Sequence, residues 1–126
     1  MKRVLLIVLL SFNAYAAEVF WHDSYKEGAE EARLAHKPML VFMSQSGCKS
    51  CEYMQDVVLT EEKVSAYINA HYIAIHLDIH GNDAPHGLQV PVTPVFHFLS
   101  EDGIESRESL IGGKTPPFFI KEIQLH

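Results

Sequence analysis

The sequence predicts an α/β domain: a central mixed sheet flanked by helices on both faces, with its active site where a strand gives way to a helix. Three observations predict it. Short runs rich in Val, Ile and Phe alternate with segments of helical periodicity, which implies parallel strands joined by crossover helices. The only two cysteines, Cys48 and Cys51, lie between one such strand and the helix after it. The last two strands are separated only by the tight turn Glu101-Asp102-Gly103, which adds an antiparallel part.

The chain opens Met1-Lys2-Arg3, continues with the apolar run Val4–Leu10 and reaches the small-x-small triplet Ala14-Tyr15-Ala16. A basic start, a short apolar core and an A-x-A site describe a secretory signal peptide over residues 1–16, cleaved after Ala16. The apolar run is far shorter than the roughly 20 residues a membrane-spanning helix needs. The expectation is an exported, periplasmic protein whose mature part, residues 17–126, has the size of one domain. Loss of Lys2 and Arg3 leaves eight basic residues against sixteen acidic ones, a net charge of −8 with neutral histidines. Such a surface disfavours nucleic acid and anionic lipid.

Glu18–Trp21 reads as a short strand or an ordered lead-in. Asp23 or Ser24 can cap a helix over Tyr25–His36, whose acidic residues come first and basic ones last, as the helix dipole prefers. Pro38 closes that helix, and Gly28 weakens it. Lys37–Met43 is a buried strand. After the cysteines, Met54, Val57 and Val58 have the i, i+3, i+4 spacing of one buried helical face. Thr60-Glu61-Glu62 can cap a further helix with Val64, Tyr67 and Ile68 inward. Tyr72–Asp78 alternates as a strand does, and residues 79–87 are rich in Gly, Asn, Asp and Pro, hence a loop. Val95–Leu99 is a strand, Ile104–Ile111 its returning partner, and Pro116 opens a last helix with Phe119, Ile120 and Ile123 inward. The order is β-α-β-α-α-β-loop-β-β-α.

The spacing Cys48-Lys49-Ser50-Cys51 admits three readings. A structural staple is weak, because closing so short a loop contributes only roughly 2 kcal/mol, against about 3 for a loop of ~15 residues. Half a zinc site would need two more ligands. A redox dithiol fits best: Cys48 stands near a helix N-terminus, where unpaired N–H groups and the dipole favour a thiolate, and Lys49 adds a positive charge. In an oxidising compartment two such cysteines close into a disulfide unless something reduces them. Eight histidines also raise a metal alternative. His76, Asp78 and His80 would share a face if their strand ran through Ile79, with His71 or His86 nearby, and could bind copper or zinc. No spacing matches a closed site, however.

The residues Lys37–Phe42 before the site, Cys48-Lys49-Ser50-Cys51, and Val90-Pro91-Val92-Thr93-Pro94-Val95-Phe96-His97-Phe98 with Asp102-Gly103 after it resemble the thioredoxin-like superfamily, and within it exported bacterial thiol:disulfide oxidoreductases. The resemblance runs over roughly Phe20–Ile123 and implies a thioredoxin fold with no cofactor beyond the redox-active pair. It implies Cys48 as nucleophile and Cys51 as resolving thiol, with Lys49 and Ser50 as the dipeptide that tunes the potential. It further implies a cis peptide before Pro94, and that Thr93 and Pro94 receive a substrate strand. Protein disulfides would be the substrates of a monomer fed by a membrane electron donor. Targets would be cytochrome c maturation proteins, a disulfide isomerase or a sulfur-oxidation carrier. The alternatives are a Dsb-type oxidase or isomerase, a copper- or zinc-carrying metallochaperone on the same scaffold, and a non-catalytic binding module.

Three departures stand out. Gly47 occupies the place of the family's tryptophan, and Lys49-Ser50 that of its Gly-Pro. Phe42 occupies the place of the buried acid that helps deprotonate the second cysteine. Glu52 and His97 are the sequence's candidates to replace that acid; their plainer readings are a solvated helix residue and a hydrogen-bonded strand histidine.

Overall fold

Residues 18–125 are described by the structure, a computed structural model; the expected signal peptide lies outside the described residues. In chain order the elements are β1 (Trp21–His22), α1 (Tyr25–Ala35), β2 (Met39–Ser44), α2 (Lys49–Tyr53), α3 (Glu62–His71), β3 (Ile73–Asp78), β4 (Val95–Leu99), β5 (Leu110–Ile111) and α4 (Pro116–Ile123). A π-helical turn, Met54–Val58, continues α2, and a 3₁₀ turn spans His86–Leu88. The strands lie in the order β1-β3-β2-β4-β5. β1, β3 and β2 are parallel, whereas β4 and β5 are antiparallel to their neighbours. The predicted mixed sheet with helices on both faces is observed.

Every residue of β2 is buried, so successive side chains supply two separate cores. Leu40 and Phe42 join Ala74, Phe96 and Phe98 beneath α2, α3 and α4. Met39, Val41 and Met43 join Ile73, Ile75, Leu77, Val95 and Leu99 on the opposite face, with Ala32 of α1. Gly28 explains how closely α1 approaches: a Cβ there would lie 2.5 Å from Cγ1 and Cδ1 of Ile75. The glycine that weakens the helix locally is what seats it on the sheet.

Local chemistry fixes most boundaries. Ser24 caps α1 by accepting a hydrogen bond from the Glu27 N–H. The helix stops one residue earlier than the sequence predicts, because His36 turns left-handed (φ 53°) while its N–H donates to the Ala32 carbonyl. Pro38 follows the stop and does not make it. The strand expected over Glu18–Trp21 is ladder only at Trp21–His22. The lead-in before it is held by Asn69, which accepts from the Phe20 N–H at 2.9 Å and donates to the Glu18 carbonyl at 2.7 Å.

Three expectations are overturned. Val57 is not on the buried face: the π turn closes with the Leu59 N–H donating to the Met54 carbonyl, five residues back, so Met54, Val58 and Leu59 turn inward and Val57 is 47% exposed. Thr60 does not cap α3; its hydroxyl donates backwards to the carbonyls of Asp56 and Val57. The returning strand over Ile104–Ile111 is ladder only at Leu110–Ile111, with an isolated bridge between Leu99 and Glu105. Between these points the segment is held mainly by side chains, with one backbone bond from the Ser106 N–H to the Phe98 carbonyl. Ser106 donates to the Phe98 carbonyl, Arg107 to the carbonyl and carboxylate of Glu122, and Ser109 pairs with His97.

Candidate functional site

The site lies at the C-terminal end of β2. Its last residue, Ser44, is followed by Gln45, Ser46 and Gly47, and then by Cys48, the N-cap of α2. Gly47 has φ +76°, a conformation that side-chain-bearing residues rarely adopt, and this accounts for glycine immediately before the cysteine. Cys48 and Cys51 are joined in a disulfide with Cα atoms 5.2 Å apart. The Cys48 sulfur accepts a hydrogen bond from the Cys51 N–H at 3.2 Å, so it takes the role an oxygen plays in an ordinary N-cap. Such a bond, at the positive end of the helix, stabilises a thiolate once the disulfide is reduced. Cys48 is half-buried and Cys51 only 2% exposed.

The other sequence candidates gather at the same end of the sheet. Lys49 and Ser50 are exposed on the first turn of α2. The chain at Gly113 passes close to Ser50, such that a Cβ on Gly113 would lie 3.5 Å from the Ser50 Cβ. The Thr93–Pro94 peptide is cis, Pro94 is buried, and its carbonyl accepts from the Gly112 N–H. Thr93 accepts through Oγ1 from Gln45 Nε2 at 2.9 Å, tying it directly to the loop that carries the cysteines.

The histidines do not converge. β3 ends at Asp78, so the condition for His76, Asp78 and His80 to share a strand face is not met. His80 sits in the following turn, where its N–H donates to Asp78 Oδ1 and its Nε2 to Gln45 Oε1. His71 stacks on Tyr67 at the end of α3. Among the described residues, no group of three or more His, Cys, Asp or Glu side chains could hold a metal ion.

Neither candidate replacement for the buried acid is a buried group hydrogen-bonded to Cys51. Glu52 is exposed. His97 lies on the other face of the sheet, in β4 between the inward Val95 and Leu99, with its two ring nitrogens bonded to Ser109 Oγ and the Leu88 carbonyl. The acid's place is filled by a stack of rings: Phe42 lies against Phe96 (centroids 4.7 Å apart, planes 5° apart) and against His76 (4.6 Å, 12°). The register sets Phe42 opposite His76 and Ser44 opposite Asp78. His76 Nε2 lies 2.5 Å from Ser44 Oγ. Burial pushes the His76 pKa down, opposed by the Asp78 carboxylate, and so favours a neutral ring. Sequence reading gives Ser44 and Gln45 no role of their own and weighs His76 only as a metal ligand, whereas the structure sets Ser44 and Gln45 beside Cys51 and His76 against Ser44. Gln45 and Ser44 precede the cysteines in the same loop and strand end, which was the signal; nothing short of the strand register points to His76.

The family model described as thioredoxin-like matches residues 20–100, well over half of the chain. Among solved structures, the chain is similar to a thioredoxin from Thermus thermophilus at 25% identity (TM-score 0.71, covering 86% of this chain and 84% of that one). It is also similar to a putative disulphide isomerase from Bacteroides thetaiotaomicron at 21% identity (TM-score 0.72, 88% and 94% covered). A third match is the periplasmic thioredoxin SoxS of Paracoccus pantotrophus at 23% identity (TM-score 0.57, 70% and 93% covered). No curated protein is similar enough in sequence to match the chain.

Proposed function

The chain belongs to the thioredoxin-like family, and on that premise we propose that it is an exported thiol:disulfide oxidoreductase that reduces protein disulfides in the periplasm. The observation that carries this reading is the arrangement of the cysteine pair: Cys48 half-buried at the head of the helix with its sulfur accepting a backbone N–H, and Cys51 buried one turn in. In the reduced protein the Cys48 thiolate attacks a substrate disulfide. A mixed disulfide forms on Cys48, and one substrate sulfur leaves. Cys51 then attacks Cys48, the internal disulfide forms, and the second substrate sulfur leaves with the electron pair of the broken bond.

In this reading the Lys49 ammonium stabilises the Cys48 thiolate and Ser50 offers it a hydroxyl. The Thr93 backbone, before Pro94, receives the substrate as an added strand. Export through residues 1–16 rests on the charged start, apolar core and A-x-A site, and a periplasmic thioredoxin among the structural neighbours is consistent with it. An exported reductant must be resupplied with electrons, which calls for a membrane donor. The reductase direction is the one that the resemblance to exported reductase-type proteins favours; a putative disulphide isomerase among the structural neighbours supports a Dsb-type oxidase or isomerase as the second reading.

The deciding experiment is equilibration of the mature protein with defined glutathione or dithiothreitol buffers. A reduction potential near about −270 mV supports the reductant, whereas a value near about −120 mV makes the protein a disulfide donor. Replacing Cys51 with Ala should trap partners covalently on Cys48 in the exported compartment. If nothing is trapped, the substrate reading fails.

A further inference from the structure

We propose that His76, acting through the Ser44 hydroxyl, accepts the proton that Cys51 must lose before it can attack Cys48. The inference rests on the reading above, in which Cys51 resolves a mixed disulfide. It answers a problem that the aromatic stack creates. Cys51 is 2% exposed, and a buried thiol resists ionisation, so its attack requires a nearby group to take its proton.

The geometry supplies one route. Ser44 and Cys51 line a single cleft of about 360 Å³, together with Gln45, Glu52, Gln55 and Asp78. That volume has room for water to bridge the two side chains. At the strand end the Ser44 hydroxyl lies 2.5 Å from His76 Nε2. Among the described residues this is the only hydrogen bond the ring makes. The ring is fixed by its stacking on Phe42, with Trp21 tilted against it.

The remaining ionisable groups around the route are otherwise engaged or poorly placed. Asp78, on His76's own strand, is exposed and accepts from the His80 N–H. Glu52 stands at the cleft but is exposed, and Glu18, also exposed, lines a separate hollow beside the His76 ring that Cys51 does not line. His80 is committed to Gln45. Burial lowers the His76 pKa and so favours the neutral ring, and in the tautomer with its proton on Nδ1 the Nε2 lone pair faces the serine hydroxyl.

The step balances as follows. In the mixed disulfide, the Cys51 Sγ–H proton passes through water to Ser44 Oγ while the Ser44 hydroxyl proton passes to His76 Nε2. The Cys51 sulfur forms a bond to Cys48 Sγ, the bond from Cys48 to the substrate sulfur breaks, and its electron pair leaves as substrate thiolate. The imidazolium then returns its proton to that thiolate through solvent. Cys48 and Cys51 end oxidised and the substrate reduced.

The test is rapid mixing of the reduced protein with 5,5′-dithiobis(2-nitrobenzoate), which releases one coloured thiol when Cys48 attacks and a second when Cys51 resolves. His76→Gln and Ser44→Ala should each slow the second release by about 100-fold, within the range of general-base assistance, and leave the first unchanged. His76→Gln should also remove the histidine inflection from the pH profile of the second release. Ser44→Thr keeps the hydroxyl and should retain most of the rate, and His97→Ala should alter neither release. A second release unaffected by both His76→Gln and Ser44→Ala overturns the relay, as does an equal slowing of both releases. Absence of any first release from the unaltered protein overturns the oxidoreductase reading, and the relay with it.

Discussion

The face of the sheet beneath α2, α3 and α4 is packed with rings, including Phe42, Phe96, Phe98, Phe119 and Tyr72, whereas the face beneath α1 is packed with Met, Val, Ile and Leu. Each face also takes one histidine from an interior strand of the sheet. On the α1 face, both nitrogens of His97 are bonded, one to the Leu88 carbonyl and the other to Ser109 Oγ. It ties the loop before β4 to the segment before β5. On the ring-packed face, His76 is only half-buried and bonds through one nitrogen to a serine beside the cysteine pair. Two histidines in like secondary structure thus differ in what they are left free to do. Full hydrogen bonding makes one a fastener, and an incomplete shell leaves the other able to exchange a proton.

The largest effect is expected at the centre of the ring-packed face. Phe42→Ala removes the ring that stacks on both Phe96 and His76, and should cost about 3–5 kcal/mol of stability, read from urea denaturation. His97→Ala leaves the Leu88 carbonyl and the Ser109 hydroxyl without their partner, and should cost about 2–3 kcal/mol with no change in the reduction potential. A potential shifted by that substitution would mean that the faces are coupled. Gly28→Ala drives a methyl into Ile75 on the α1 face. Overpacking of about 1–3 kcal/mol is partly offset by a gain in helix propensity of up to ~1, so a net loss of about 1 kcal/mol is expected in the same assay.

The smallest effect is on pH dependence. The His76 pKa is lowered by burial, so between its folded value and the unfolded value near 6.5 the unfolded chain binds the extra proton. Stability from this group is therefore present above the unfolded value and lost as pH falls through the folded one. Denaturation midpoints measured across that interval should decline towards acid, and His76→Gln should flatten the decline.

Much of this was legible in the sequence because it is local. The burial of β2 is written in Met39-Leu40-Val41-Phe42-Met43, the cysteine position in the junction after it, and the last helix in Pro116. What escaped is non-local or geometric. Whether Ile104–Ile111 pairs along its length depends on where Arg107 and Ser109 find partners in α4 and β4, and no periodicity records that. His76 was grouped with Asp78 and His80 by spacing alone. The strand's end at Asp78 and the register with Phe42 give it different company. Thr60, a good N-cap by type, spends its hydroxyl on the turn behind it.

The π turn at Met54–Val58 gives the helix from Lys49 to Val58 one residue more than a regular coil would use. In that respect it behaves like a phase insertion. The residues before it, Cys51 among them, are indexed to the helix start, while Val58 and Leu59 are indexed to the aromatic core in a different phase. Cys51, Met54, Val58 and Leu59 all reach one core, and the extra residue is taken up where Val57 is left exposed. Deleting one residue from Gln55–Val57 would return the helix to regular phase and turn a different set of its last residues towards the core.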